Sequence, residues 1–209
     1  MWRPKLMKIP TADEALPGRH EPLNVTDKHH INGNSITGEC PLGCSELMVG
    51  MGCFWGAERL FWSLPGVYST SVGYGGGHTP NPTYDEVCSG MTGHTELVRI
   101  WYDPKVITLT ALLRVFWEQH DPTQGMRQGN DIGTQYRSAI YVSNEADLKV
   151  VEETREHYQK RLKEAGRETI TTDIQAPVTY YLAETYHQQY LAKNPNGYCG
   201  LNGCSVGYE

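Results

Sequence analysis

The stretch GMGCFWGAERLFW, Gly50 to Trp62, sets one thiol between small residues and two aromatic rings, directly ahead of a helical pattern. A thiol at a helix N-terminus feels the partial positive charge of unbonded backbone amides, which favours the nucleophilic thiolate and predicts a lowered pKa for Cys53. Gly50, Gly52 and Gly56 permit a close approach of backbone or ligand, while Phe54 and Trp55 offer flat apolar surfaces that can hold a small apolar group beside the sulfur. The plain alternative is that Cys53, Phe54 and Trp55 are core residues.

Two further stretches carry candidate chemistry. On a strand starting near Thr95, Glu96 shares a face with Val98 and Ile100, so its carboxyl points among apolar side chains. Desolvation there would keep the carboxyl protonated to unusually high pH and suit it to a general acid, unless it faces water at the strand edge. In HDPTQGMRQGNDIGTQYRSAIY, from His120 to Tyr141, glycines with Asn130 and Asp131 make a polar loop, and Tyr136 precedes a strand from which its hydroxyl can reach a pocket.

These residues need elements to carry them. ELMVGMG from Glu46 reads as a strand, and the i, i+3, i+4, i+7 spacing of Ala57, Leu60, Phe61 and Leu64 predicts a helix ended by Pro65 and Gly66. Further strands are expected at 68–72, 95–102, 138–142 and 169–174, and further helices at 110–120, 144–165 (closed by Gly166) and 183–193. Interleaved strands and helices predict one mixed α and β domain over 46–193. Residues 1–45, rich in Pro, Gly, Asn and His, read as an extended segment that wraps the domain. The Gly-rich end, 194–209, reads as a mobile coil tail carrying Cys199 and Cys204.

Composition narrows the partners. The chain of 209 residues has a formal net charge of −6 and no long block of like charge, which argues against nucleic acid and a polybasic membrane patch and for a small or peptidic ligand. No stretch approaches the roughly 18 consecutive apolar residues of a membrane helix, and the N-terminus lacks a secretory apolar region. A soluble, cytoplasmic monomer is expected; Arg3, Lys5 and Lys8 leave a mitochondrial or other organelle address open. Six cysteines, at 40, 44, 53, 88, 199 and 204, suit catalysis or metal binding better than structural staples in a reducing compartment. Cys88 reads as a buried structural thiol. Cys40 and Cys44 in GECPLGC would need partners such as His29, His30, Cys199 or Cys204 to hold zinc, and no metal is expected.

Taken together, GCFWGAE, NPTYDEVCSG, TGHTE, the 120–141 stretch and YHQQYLAKNPNGYCG resemble the peptide methionine sulfoxide reductases of the A class, over about residues 15–200. The resemblance implies a two-layer α+β sandwich with a mixed sheet and a ferredoxin-like core. It implies that Cys53 attacks the sulfur of the S epimer of methionine sulfoxide, in proteins or free, and becomes a sulfenic acid. Glu96 would supply the proton, Tyr84 and Tyr136 would hydrogen-bond the oxygen, Phe54 and Trp55 would enclose the methyl, and Asp131 would order the site. Cys199 matches the resolving position, and thioredoxin would be the external reductant with no bound cofactor. Cys204 is the candidate further recycling thiol, but it follows Cys199 by only five positions, so direct attack of thioredoxin on a disulfide of Cys53 and Cys199 is the alternative route.

Two other classes compete. In a cysteine hydrolase, His94 or His120 would activate Cys53, oriented by Asp121 or Asp131, and the tail thiols would be idle. A binding module would hold zinc or oxidised methionine without reducing it. His94, His120 and His187 otherwise read as ordinary core or surface histidines.

Overall fold

The computed structural model describes residues 7–209, so Arg3 and Lys5 lie outside the described residues. The chain runs β1 (Ser45–Met51), α1 (Phe54–Trp62), β2 (Val67–Gly75), α2 (Tyr84–Cys88), β3 (Thr95–Tyr102), α3 (Leu109–Gln119), β4 (Arg127–Gln128), β5 (Asp131–Ile132), β6 (Ser138–Val142), α4 (Glu145–Glu164), β7 (Asp173–Gln175), β8 (Tyr180–Leu182) and α5 (Tyr190–Lys193). Six strands form one sheet in the order β7-β6-β1-β3-β2-β8, and β4 and β5 make a separate hairpin. Only the pairing of β6 with β7 is parallel, so the main sheet is mixed.

Alternation along the strands sends Leu47, Val49, Met51, Val72, Val98, Ile100, Ile140 and Val142 to one face, where helices cover them. Helix α1 inserts Phe54, Ala57 and Phe61 at the predicted spacing. Helix α3 buries Leu112, Leu113, Phe116 and Trp117 behind a Thr108 cap that accepts the Ala111 N–H, and α4 starts on an Asn144 cap that accepts the Asp147 N–H. Each such cap contributes about 1 kcal/mol. The result is the two-layer α+β packing expected from the sequence.

The opposite face holds Met48, Leu97, Ala139 and Tyr141, with Val178 and Tyr180 packed over them. There the Arg99 guanidinium lies between Trp101 and Tyr180, 4.5 and 4.6 Å from the ring centroids. The N-terminal segment crosses the molecule as a belt. Leu16 N donates to Met91 O, Arg19 pairs with Glu86 at 2.8 Å, and the Arg99 guanidinium donates to Ile36 O.

Three segments depart from the sequence expectation. Strand β7 is only Asp173–Gln175, and β8, unanticipated, pairs with β2. The helix expected over 183–193 is reduced to α5, because residues 183–189 are drawn onto β2 instead. Gln188 donates to Val72 O and Ala183 O and accepts the Val72 N–H, and Gln189 is left-handed at φ 48°. The segment read as a mobile tail is packed along α3 and α4. Leu201, Val206 and Tyr208 lie against the core, Tyr158 Oη donates to Val206 O at 2.9 Å, and His157 Nε2 lies 2.7 Å from Tyr208 O.

Candidate active site

Cys53 stands at the N-cap of α1, where β1 turns into the helix. Gly52 makes that turn at φ +86°, and a Cβ there would sit 2.6 Å from Gln128 Cβ, so the position requires glycine. The half-buried thiol accepts a hydrogen bond from the Trp55 N–H, which is the helix-terminus effect the sequence predicts. That effect is outweighed. Burial first, then the Glu96 carboxyl, with Asp131 and Cys199 adding to them, push the Cys53 thiol far above its ordinary value. The expectation of a resting thiolate is therefore corrected, because helix amides compete here with desolvation and nearby acids, and lose.

Glu96 faces the helix layer as its strand parity requires, 2% exposed. Its Oε2 accepts the Phe54 N–H at 2.9 Å, one residue beyond Cys53. Burial pushes the carboxyl up to about 8 against that hydrogen bond, with Asp131 adding to the rise, so it carries its proton at neutral pH. The desolvated carboxyl expected from strand parity is thus present.

The two tyrosines converge from opposite sides. Tyr84 opens α2, whose capping box pairs Thr83 with Glu86. Its own N–H donates to Glu184 Oε1 at 2.8 Å, while Tyr74 Oη donates to Glu184 Oε2 at 2.9 Å. Tyr136 ends the short helical turn 134–136 after the β4–β5 hairpin. Buried Arg137 anchors that loop, donating to Gly93 O, Thr134 O and Gly76 O. Burial and then Glu96 raise both phenols well above their ordinary range, and Cys53 acts on Tyr136 as well, so each keeps its proton to donate. Asp131, in the hairpin, accepts the Tyr198 hydroxyl at 3.1 Å.

Cys199 is exposed and rides directly over α1. A Cβ on Gly56 would lie 2.8 Å from Cys199 Sγ, so the glycine makes room for the second thiol, to which Arg59 donates at 3.3 Å. Cys204 is elsewhere. It is 6% exposed, packed into the core beside Tyr158 Oη at 3.4 Å, with its carbonyl held by Arg167.

Several groups escaped the sequence reading. His187, taken for an ordinary histidine, is fully buried within the site and touches Phe54, Trp55 and Tyr84 with ring centroids 5.1, 5.7 and 4.5 Å apart. Its Nδ1 accepts the Trp55 indole N–H at 3.0 Å, and burial lowers it to about 4, so it is neutral. Tyr190 stacks on Trp55 at 3.9 Å. Cys88, expected to be a buried structural thiol, is instead half-buried and hydrogen-bonded to the Tyr84 hydroxyl. The repeated aromatics of YHQQY were the available signal.

The rival arrangements do not form. Gly77 N–H donates to His94 Nδ1 and His94 Nε2 reaches Thr79 O, while His120 binds Phe116 O and Ser138 Oγ, so both rings are committed away from Cys53. Among the described residues no group of three or more His, Cys, Asp or Glu could hold a metal ion, and no helix is long and apolar enough to cross a membrane.

A thiol beside a proton-bearing carboxyl, with a second thiol overhead, defines a thiol oxidoreductase centre. Comparison with known proteins narrows the class. The family model described as peptide methionine sulfoxide reductase matches residues 45–205. The peptide methionine sulfoxide reductase MsrA of Vibrio cholerae is 61% identical over 196 residues, covering 94% of this chain and 92% of the relative. The solved methionine sulfoxide reductase A of Corynebacterium diphtheriae superposes with a TM-score of 0.83 at 45% identity, covering 92% of this chain and 93% of its own. A more distant match, at TM-score 0.51 and 25% identity over 74% of this chain and 90% of the other, is Mxr1 from Saccharomyces cerevisiae in complex with Trx2. The chain belongs to the peptide methionine sulfoxide reductase family, A class. It is an oxidoreductase that reduces methionine sulfoxide at the expense of thiols.

Proposed function

We propose that Cys53 is the nucleophile, Glu96 the proton donor and Cys199 the resolving thiol in reduction of the S epimer of methionine sulfoxide, protein-bound or free. The observation that carries this reading is the buried, protonated Glu96 hydrogen-bonded to the N–H that follows Cys53. A sulfoxide oxygen leaves sulfur only as it gains a proton. Glu96 gives it that proton, with the Tyr84 and Tyr136 hydroxyls stabilising the charge that develops. Cys53 Sγ attacks the substrate sulfur, and the hydroxyl then passes from that sulfur to Sγ as the bond between the two sulfurs breaks. The thiol proton returns to Glu96, leaving methionine and a sulfenic acid. Phe54 and Trp55 wall the methyl group, and Asp131 orders the loop through Tyr198.

The Cys199 thiol then condenses with the sulfenic acid, forming a disulfide and releasing water. A thioredoxin-class dithiol reduces that disulfide, a partner supported by the Mxr1 complex with Trx2. The buried position of Cys204 favours direct attack of thioredoxin on the disulfide of Cys53 and Cys199 over a third relay thiol. Electrons come from thiols alone in this scheme. All six cysteines are free, which suits a cytoplasmic location.

The test is mass spectrometry after one turnover without reductant. A single link between Cys53 and Cys199, with Cys204 still alkylatable on unfolding, is expected; a link through Cys204 would overturn the two-thiol route.

A further inference from the structure

One fully buried carboxyl takes no part in the proposed reaction. Glu58 ends the GCFWGAE stretch, lies one turn beyond Trp55 on α1, and is fully buried. Its Oε2 accepts the Gln189 N–H at 2.8 Å, and its Oε1 accepts both Gln189 Nε2 at 2.7 Å and the Thr70 hydroxyl at 3.1 Å. Behind Thr70 stands His29 Nε2 at 3.0 Å, and Gln189 Oε1 accepts the His30 N–H at 2.9 Å. One carboxyl thus fastens the active-site helix to β2, the N-terminal belt and the strap 187–190.

The strap is what touches Trp55. His187 Nδ1 accepts the indole N–H, and Tyr190 stacks on the indole at 3.9 Å with 16° between planes. Between these two contacts sits Gln189, held at φ +48°, a conformation that non-glycine residues seldom adopt without enforcement. Its main-chain and side-chain donors both end on Glu58, which supplies that enforcement. If Gln189 relaxed toward ordinary helical or extended backbone, His187 and Tyr190 would turn away from the indole together.

We propose that Glu58 is a positioning residue that sets the angle of the Trp55 indole through Gln189, and thereby the preference for a methyl over a larger alkyl group on the substrate sulfur. The selectivity part depends on the reading of Trp55 as a wall of the methyl pocket; the positioning part does not. Glu58 touches no substrate in this scheme.

Glu58→Gln supplies the first arm of the test, since an amide nitrogen faces donors that a carboxylate accepts. The reciprocal pair, Glu58→Gln with Gln189→Glu, restores one acceptor to the contact and supplies the rescue. Two readouts are taken on the full reduced chain: the indole ¹H–¹⁵N resonance of Trp55, assigned with Trp55→Phe, and the ratio of kcat/KM for methionine sulfoxide to that for its S-ethyl analogue. Glu58→Gln is expected to move the Trp55 resonance and to lower the methyl-to-ethyl ratio about ten-fold, chiefly through KM, as one methylene in a shaped pocket allows. The reciprocal pair should recover part of both.

A Glu58→Gln protein with an unmoved resonance and an unchanged ratio, even one that melts earlier, overturns the proposal and leaves Glu58 a stabilising residue only. Should that variant fail to fold, Gln189→Ala removes the side-chain donor to Glu58, together with the Oε1 that accepts the His30 N–H, keeps the main-chain donor, and is read the same way. If Trp55→Phe itself leaves the ratio unchanged, the pocket reading fails, and the indole resonance decides the positioning role.

Discussion

Phe54 and Glu96 are joined by a 2.9 Å hydrogen bond from the backbone N–H of the first to the carboxyl of the second. The bond ties the Glu96 carboxyl to the residue after Cys53, so the proposed nucleophile and proton donor move as one unit. A carboxyl pushed up to about 8 remains protonated at pH 7 with only a modest further gain in acidity needed to transfer its proton.

Replacing Glu96 by Gln keeps the shape and removes the proton. The rate of the first chemical step, followed in single turnover by methionine release, should fall by roughly 10²–10⁴-fold with substrate binding retained. In the wild type the same rate should decline as pH rises through about 8, where Glu96 loses its proton. Equal single-turnover rates for the two proteins would remove Glu96 from the reaction.

The same carboxyl makes stability depend on pH. Its value rises from 4.5 to about 8 on folding, so its stabilising contribution is complete below about 4.5 and is lost as pH climbs through about 8. Wild type should therefore lose stability relative to Glu96→Gln between pH 5 and pH 8.5, on the order of a few kcal/mol. Denaturant midpoints at the two pH values measure this, and a pH-independent difference contradicts it.

Cysteines 199 and 204 should part company on substitution. Cys199→Ser is expected to release one methionine per enzyme and then stop under thioredoxin, because no thiol resolves the sulfenic acid. Cys204→Ser should keep thioredoxin-driven turnover but unfold earlier, by about 1–2 kcal/mol, since it sets a hydroxyl in the apolar packing around Tyr158. Loss of turnover in a folded Cys204→Ser protein would reinstate the third thiol.

Gly56→Ala probes the approach of Cys199. The added methyl would stand 2.8 Å from the sulfur, so the chain bearing Cys199 must shift outward. The sulfenic acid should still form at its normal rate while disulfide closure slows, which trapping with a dimedone-type reagent against time would reveal. Unaltered closure would mean that the approach over Gly56 is not the reactive one.

Much of this site was legible in the chain. The spacing of Ala57 and Phe61 places α1, and strand parity turns Glu96 inward beside Val98, because both signals depend on local periodicity alone. The acidity of Cys53 was not legible: its helix amides are local, whereas Glu96 and Asp131 come from β3 and from a hairpin nearly eighty positions on. The segment 183–189 looked helical because its polar residues are compatible with a helix; the bonds of Gln188 to Val72 on β2 favour instead the turns that run over 185–189. The glycines after Cys199 likewise gave no hint that Tyr158 and Arg167, on and just past α4, would hold the chain end.

That anchoring changes the role of the residues between Lys193 and Cys204. Fixed at α5 on one side and in the core on the other, they form a bridge of set span instead of a swinging arm. In the proposed scheme Cys199 would reach position 53 as an intramolecular thiol, at an effective concentration of about millimolar, as a short tether imposes. Closure onto the chain's own thiol would then need no encounter with a second molecule.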